Sequence, residues 1–369
     1  MVKRIGILTF HAAHNYGSML QTYALQTFLE QKGYEVTVIN HRNLAQKSLY
    51  VKPGQLLKKK NLKEMLSHPR AFVQSIGKWN KFERFMRDYY HLSHEYVDLV
   101  STEKAVNGGL GLDAVITGGD QIWNMNCLDF SPAYYLPFDT PAIRRIAYAP
   151  SLGDEQWWRP RHYANLLKVL VGNYDYPSVR ELSSSAFLSD LLGRPVPVVS
   201  DPVFLLKRQD YELLAGEEPL IEGNYILYYT PQPDQAISGY VSKLAKRLGY
   251  KVVMSNKGKG KEEKDFIPFC DAGPVEFLNL MEHAALVCGW SMHLVAFALL
   301  MHKPFYAVSR SEGARIRHLL AEAGLLSRLV RIDDDLSTID SSPIDWDEVD
   351  NRVDTLRQSG YRFLEEALS

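Results

Sequence analysis

From Arg4 to Ile39 the chain reads RIGILTFHAAHNYGSMLQTYALQTFLEQKGYEVTVI, and this segment settles the fold class. Ile5 to Phe10 is a short apolar run, too short for a helix and bounded by polar residues, which predicts a first β-strand. It stops at His11, and His11 to Gly17 reads as a polar turn. From Ser18 to Lys32 the apolar positions Leu20, Tyr23, Ala24, Leu25, Phe28 and Leu29 recur near the helical repeat, with Gly33 where a helix C-cap is expected. Glu35 to Ile39 then alternates into β-branched residues and predicts a second strand. Two strands joined by a helix cannot form a hairpin, so they lie parallel.

The same rhythm extends outward. Asp113 to Thr117 reads as a buried strand that opens into Gly118-Gly119-Asp120-Gln121, and further strands are expected at Arg145–Tyr148, Tyr176–Val179 and Val196–Val199. Each ends in a polar or glycine-bearing turn, and ligands of parallel α/β sheets bind outside the carboxyl ends of the strands. Residues 207–224 are acid-rich and contain Pro219, which suggests a linker. The rhythm then restarts: strand Tyr225–Thr230, helix Ile237–Leu248, strand Lys251–Met254, and a Gly/Lys-rich loop at 257–264. A helix follows from Val275 to His283, opened by Gly273-Pro274, then strand Ala285–Cys288. Trp290 to His293 lead into an apolar helix, a strand follows at 303–308, and a last helix spans 346–368. The expected fold class is α/β: two Rossmann-like parallel-sheet domains facing a cleft, GT-B-like, at 1–206 and 225–345. A C-terminal helix, 346–369, crosses back.

Composition narrows the function. Of 369 residues 46% are hydrophobic and 23% charged, the profile of a folded protein. A net charge of −1 argues against a nucleic-acid partner, which calls for a basic excess. Three cysteines, odd in number and without CxxC spacing, give neither a disulfide framework nor a zinc site and fit a reducing cytosol. The first apolar run is too short for a signal peptide, and no stretch of about 18 apolar residues occurs. The expected location is therefore cytoplasmic. No GxGxxG follows the first strand, and His11 and His14 form no HxxxH, so neither a dinucleotide nor a metal site is expected.

Residues 43–104 are basic and helical in pattern, with Phe72, Ile76, Trp79, Phe82, Phe85, Met86 and Tyr89 at helical spacing. One reading is a basic amphipathic surface for peripheral membrane association or a lipid-linked acceptor. The other, the commoner outcome for such a pattern, packs the aromatic stripe on the sheet and solvates the lysines.

Taken in order, several segments resemble the polysaccharide pyruvyl transferases. They are Gly6-Ile7-Leu8-Thr9, Asn15-Tyr16-Gly17-Ser18, Leu20-Gln21, Gly119-Asp120-Gln121-Ile122-Trp123-Asn124 and Ala147-Tyr148-Ala149-Pro150-Ser151-Leu152-Gly153. Ser178-Val179-Arg180-Glu181, Asp201-Pro202, Gly273-Pro274, Ser291-Met292-His293 and Lys303-Pro304-Phe305 complete the series. No single motif is specific; their order is. Ser291-Met292-His293-Leu294 departs from the family's usual Ser-Phe-His-Gly. The resemblance implies transfer of pyruvate from phosphoenolpyruvate to a saccharide as a ketal, with release of phosphate and no cofactor beyond that donor substrate.

Such a reaction needs a cationic clamp, a proton donor and a base. Arg180, just after an expected strand, suits a clamp, because a guanidinium fork holds phosphate or carboxylate bidentately. The structural alternative is an ion pair with Glu181 or Asp175. His293 sits at an expected helix start, where an anion site and a titratable imidazole coincide, although a lone histidine beside an apolar helix is commonly a hydrogen-bonded structural residue. Ser291 and Met292 join it as donor-side residues, and Arg315 is a weaker cation candidate, with Arg310 and Arg317 as alternatives. Asn15, Ser18, Gln21, Asp120 and Gln121 suit hydrogen bonding to sugar hydroxyls, with Asp120 as base or, equally, as a turn cap. The alternative functions are a nucleotide-sugar glycosyltransferase and a non-catalytic sugar-binding homologue.

Overall fold

In a computed structural model the chain is described at residues 2–53, 69–140, 142–153, 158, 161–255, 262–310 and 313–369. Most of the Gly/Lys-rich loop at 257–264 and part of the basic 43–104 segment fall outside these residues. The described strands, in chain order, are β1 (Arg4–Leu8), β2 (Glu35–Val38), β3 (Ala114–Gly118), β4 (Arg144–Tyr148), β5 (Tyr176–Pro177), β6 (Tyr225–Tyr229), β7 (Lys251–Met254), β8 (Ile267–Pro268), β9 (Leu286–Gly289), β10 (Phe305–Ser309) and β11 (Leu329–Arg331). The α-helices are α1 (Tyr16–Gln31), α2 (Leu44–Leu49), α3 (Pro69–Tyr89), α4 (Leu99–Lys104), α5 (Arg161–Gly172), α6 (Leu182–Leu192), α7 (Arg208–Ala215), α8 (Gln235–Leu248), α9 (Pro274–Glu282), α10 (Met292–Leu300), α11 (Ala314–Glu322) and α12 (Trp346–Leu368).

The strands form two sheets, ordered β2-β1-β3-β4-β5 and β11-β10-β9-β6-β7-β8, and every pairing is parallel. The first has the flavodoxin-like order, with its topological switch between β1 and β3. The second has the order of a dinucleotide-binding sheet, with its switch between β6 and β9. Their central strands are apolar on both faces because helices cover both sides, which explains the continuous rather than alternating runs. Ala114–Gly118, Tyr225–Tyr229 and Phe305–Ser309 are buried throughout.

Two compact units result. One comprises Met1–Val51, Glu83–Leu206 and Leu356–Ser369; the other Lys52–Phe82 and Lys207–Thr355. The first packs a core around Trp123, Tyr134, Tyr135, Trp158 and Tyr174, the second around Ile226, Tyr240, Val241, Val252 and Val308. Burying each such large side chain stabilises by about 1.5–3 kcal/mol. Residues 207–224, read from sequence as a linker, contain α7, which belongs to the second unit. The expected strand at Val196–Val199 is reduced to a single bridge, Val179 to Val198. In α3 the later part of the stripe packs inward: Phe82, Phe85 and Met86 are buried, and Tyr23 of α1 lies edge-on to Phe85 and Tyr89. The C-terminal helix crosses back. Its start stacks Trp346 on His302 and buries Val349 and Val353 in the second unit, while its end stacks Tyr361 on Phe28 in the first.

At each switch a glycine ends a strand. A Cβ on Gly118 would stand 2.0 Å from the Tyr148 carbonyl oxygen, and one on Gly289, whose φ is +152°, 1.9 Å from that of Tyr229. Neither backbone neighbour can give way as a side-chain tip can. Gly118→Ala or Gly289→Ala is expected to cost about 2–4 kcal/mol. This would appear as a thermal midpoint lowered by several degrees, whereas Gly239→Ala, which meets nothing within 4 Å, should leave it near wild type.

Candidate functional site

Polar residues gather at the carboxyl edge of both sheets. In the first unit Asn15 caps α1, its carboxamide oxygen accepting from Gly17 and Ser18 N–H. That starts the helix one turn from the end of β1 and presents Ser18 towards β3, where its hydroxyl donates to Asp120 Oδ2. Asp120 follows two switch-point glycines in a left-handed conformation (φ +52°), which Asp tolerates better than most residues. Its other carboxylate oxygen accepts from Gln121 N–H at 2.8 Å, and its carbonyl from Ser151 N–H at 2.7 Å. Gln121 accepts from Asn124 Nδ2 at 2.9 Å. Gln21 is fully buried: its amide nitrogen donates to Thr9 Oγ1, Ser18 O and Thr22 Oγ1 while its oxygen abuts Gly119. Gln21 thus shapes this edge from beneath, and the half-buried Asn15, Asp120 and Gln121 line it.

Arg180 joins this cluster. It is 9% exposed, with Nη1 at 2.5 Å from Asp201 Oδ2 and Nε at 3.5 Å from Glu181 Oε1. Of the two pairings expected from sequence, Glu181 is met. Asp175 is not, because it lies at the opposite edge and accepts from the Arg145 N–H. Asp201 was not foreseen; its position straight after an expected strand, in Asp201-Pro202, was the available signal. Burial opposes the charge of Arg180, but Asp201, Glu181 and Asp120 outweigh it and hold the guanidinium above its ordinary pKa. Nη2 is buried without a hydrogen-bond partner among the described residues. A buried donor left unpaired is costly, so this nitrogen is suited to a ligand oxygen.

In the second unit Gly289 ends β9, and Trp290 N–H donates to the Tyr229 carbonyl at 3.2 Å, tying the turn to β6. Ser291 is the N-cap of α10, and its side chain makes no capping bond. The first-turn amides, which include those of Met292 and His293, are therefore uncapped by it, the arrangement that receives anions. Ser291, Met292 and His293 are half-buried. Of the two departures from the family motif, Met292 is half-buried at this edge, whereas Leu294 is buried and approaches Gly289 from inside, where it alters packing. Arg315 lies in the first turn of α11, after β10, the neighbour of β9. The turn before it is fixed by Gly313, whose α-carbon rests on the Trp290 ring; a Cβ there would be 2.1 Å from Cζ2. Arg310 is exposed and pairs with Asp234 at 3.5 Å, and Lys303 pairs with Glu282 at 3.2 Å. The structure thus gathers Asn15, Ser18, Gln21, Asp120, Gln121 and Arg180 in one unit and Ser291, Met292, His293 and Arg315 in the other.

A cavity of about 770 Å³ opens at the other end of the first sheet, between Asp113, Arg144, Asp175 and Arg194. It lies at the amino ends of the strands, where neither cluster sits. Among the described residues no group of three or more His, Cys, Asp or Glu is placed to hold a metal ion, and no helix is long and apolar enough to cross a membrane.

Two parallel-sheet α/β units with polar clusters at their switch points define a GT-B-like protein, and solved structures agree on the fold. UDP-GlcNAc 2-epimerase from Methanocaldococcus jannaschii aligns over 99% of both chains at 13% identity with a TM-score of 0.54. The enzyme from Rickettsia bellii aligns over 99% of this chain and 96% of its own at 11% identity, also 0.54. The M. jannaschii enzyme in complex with UDP-GlcNAc and UDP aligns over 99% of both chains at 12% identity and 0.51. No curated protein sequence gives a significant match. The family model for polysaccharide pyruvyl transferase matches residues 15–312, and the chain belongs to that transferase family.

Two other histidines near β1 and β2 carry a pH signature. Burial lowers His11 and His41 from 6.5 to about 4, in His11 against its hydrogen bonds to Asn40 and Thr9 and in His41 against the charge of Asp98. A histidine whose folded pKa is depressed stabilises the fold fully above its unfolded pKa, and that stability is lost as pH falls towards the folded value. The thermal midpoint is expected to fall between about pH 6.5 and pH 4, and His41→Gln should flatten that fall.

Proposed function

We propose that the chain transfers the pyruvyl group of phosphoenolpyruvate to two hydroxyls of a saccharide, forming a ketal and releasing phosphate. One hydroxyl oxygen bonds to C2 of the donor as its proton passes to a base, and a proton is delivered to C3. Phosphate then leaves C2 with its bonding electrons, and the second hydroxyl closes the ketal and gives up its own proton. The observation that carries this reading is the family match, whose span contains both strand-edge clusters except Arg315. The uncapped start of α10, with His293 on its first turn, suits the donor phosphate, and Arg315 adds positive charge at the same sheet edge. His293 is the proposed proton donor to C3. At the first sheet, Asn15, Ser18, Asp120 and Gln121 are assigned to sugar hydroxyls, with Asp120 as base and Gln21 behind them. Nη2 of Arg180 is left for a ligand oxygen.

The likeness to epimerase structures favours one second reading, a nucleotide-sugar ligand. Thermal-shift titration separates the two. Phosphoenolpyruvate at about 100 times its Kd should stabilise the protein by about 2.7 kcal/mol. The shift should be lost in the double variant Arg180→Ala/His293→Ala. A shift with UDP-GlcNAc and none with phosphoenolpyruvate would transfer the assignment to the nucleotide sugar.

A further inference from the structure

A ketal consumes two hydroxyls, and each gives up a proton. Asp120 accounts for one acceptor, so the reaction needs a second base beside it. Several carboxylates of the first unit are already held by cations. Glu181 and Asp201 pair with Arg180. Glu83 takes Arg42 on both oxygens, at 3.2 and 2.9 Å, and His14 Nε2 at 3.1 Å.

Asp129 is built differently. Beyond Asp120 the chain winds back in successive tight turns. Asn124 N–H donates to the Gln121 carbonyl, Cys127 N–H to that of Asn124, and Phe130 N–H to that of Cys127, at 3.0, 3.0 and 3.1 Å. The turns return Asp129 to the neighbourhood of Asp120, and both carboxylates act on the hydroxyl of Tyr50. Asp129 is 8% exposed, and among the described residues no cation pairs with it. The Tyr50 hydroxyl donates to its Oδ2 at a long 3.4 Å, and its own backbone N–H is the other partner. A carboxylate offers about four lone-pair sites, so these two bonds leave capacity for a ligand hydroxyl. Burial and the charge of Asp120 raise its pKa against both bonds. A carboxylate raised towards the working pH is the stronger base, and a buried one without a cation is a feature of functional sites.

An independent feature points to a polar ligand at the same turn. Both ends of α2 are fastened to it. The N-cap Asn43 donates from Nδ2 to the Phe130 carbonyl at 3.1 Å, and the C-cap Tyr50 reaches Asp129. Gln46 stands three residues after Asn43 and four before Tyr50, which puts it on the face they share. It is the buried residue of α2, at 1% exposure, while Leu44 and Leu49 are exposed. A helix that turns its glutamine inward and its leucines outward reverses ordinary amphipathic packing. Neither atom of the Gln46 carboxamide has a hydrogen-bond partner among the described residues. A carboxamide and a carboxylate on one turn suit sugar hydroxyls, each of which donates and accepts.

We propose that Asp129 is the second proton acceptor of the transfer, and that Gln46 binds the saccharide beside it. Once phosphate has left C2, the O–H bond of the second hydroxyl breaks and its proton moves to a carboxylate oxygen of Asp129. The electron pair of the hydroxyl oxygen forms the bond to C2 that closes the ketal. The groups that set the titration of Asp129 are Tyr50 from the end of α2 and Asp120 from the turn after β3. Cys127, in the same loop, acts on the Tyr50 hydroxyl. This assignment rests on the pyruvyl-transfer reading.

The test measures phosphate release from phosphoenolpyruvate by the full chain with glucose, galactose, mannose and N-acetylglucosamine glycosides between pH 5 and 9, beside the phosphoenolpyruvate thermal shift. Asp129→Asn should retain the shift and lower kcat by about 10²–10⁴-fold. Its acid limb should move to lower pH, because the carboxyl group with the raised pKa is gone. Tyr50→Phe should move that limb to higher pH, since it removes a bond that favours the carboxylate. Added formate should restore activity to Asp129→Gly, which a merely structural role would not permit. Gln46→Met should keep or raise the thermal midpoint, because it replaces an unpaired buried amide, yet raise the saccharide KM about 10-fold. Wild-type kcat and acid limb in Asp129→Asn would overturn the proposal. So would an unchanged saccharide KM in Gln46→Met, or loss of the donor shift in either variant. A wild type that does not bind phosphoenolpyruvate, or releases phosphate with none of these saccharides, sinks the transfer reading and this assignment with it.

Discussion

In each sheet the chain leaves its central strand across a glycine whose α-carbon lies against a carbonyl of the neighbouring strand, Gly118 on Tyr148 and Gly289 on Tyr229. Parallel pairing forces both strands to end at the same edge, and the absence of a Cβ lets the turns beyond them stay close together. Those turns carry the candidate functional surface: Asp120 and its neighbours in one unit, Ser291 to His293 in the other. Gly119 repeats the device one residue on, giving room to the oxygen of Gln21, and Gly313 repeats it beneath Trp290.

Charge is arranged with the same economy. Arg180 is surrounded by Asp201, Glu181 and Asp120, so a buried cation is compensated inside its own unit. Truncating one member of such a pair generally costs more than the pair itself contributes, because a buried charge is then left uncompensated. The His14, Glu83 and Arg42 cluster obeys the same logic at the other side of the edge. In both, part of an arginine has no hydrogen-bond partner among the described residues, Nη2 in Arg180 and Nε in Arg42.

The family match and the fold likeness speak to different levels. The match places the chain among the polysaccharide pyruvyl transferases, and the epimerase structures, at 11–13% identity, speak to architecture alone. Of the two substitutions in the family's Ser-Phe-His-Gly motif, Leu294 is turned into the core.

The βα rhythm was legible because a strand buried on both faces needs a continuous apolar run and its crossover helix needs a 3.6-residue repeat. Strands such as Lys251–Met254 and Tyr225–Tyr229 come directly from that. The edge positions of Asp120, Arg180 and His293 were legible for the same reason, since the turn after a parallel strand has only one place to go. The strand at Val196–Val199 failed because β-branched residues mark burial as readily as pairing, and the helix at Arg208–Ala215 was hidden by a polar, acid-rich composition. Residue pattern was enough to establish two parallel-sheet units and the family. Three-dimensional packing alone settled that Arg180 meets Asp201, that Glu83 and Arg42 converge on His14, and that Leu294 points inward. These pairings join residues far apart in the chain, and local pattern carries no information about which distant carboxylate the packing brings to a given cation.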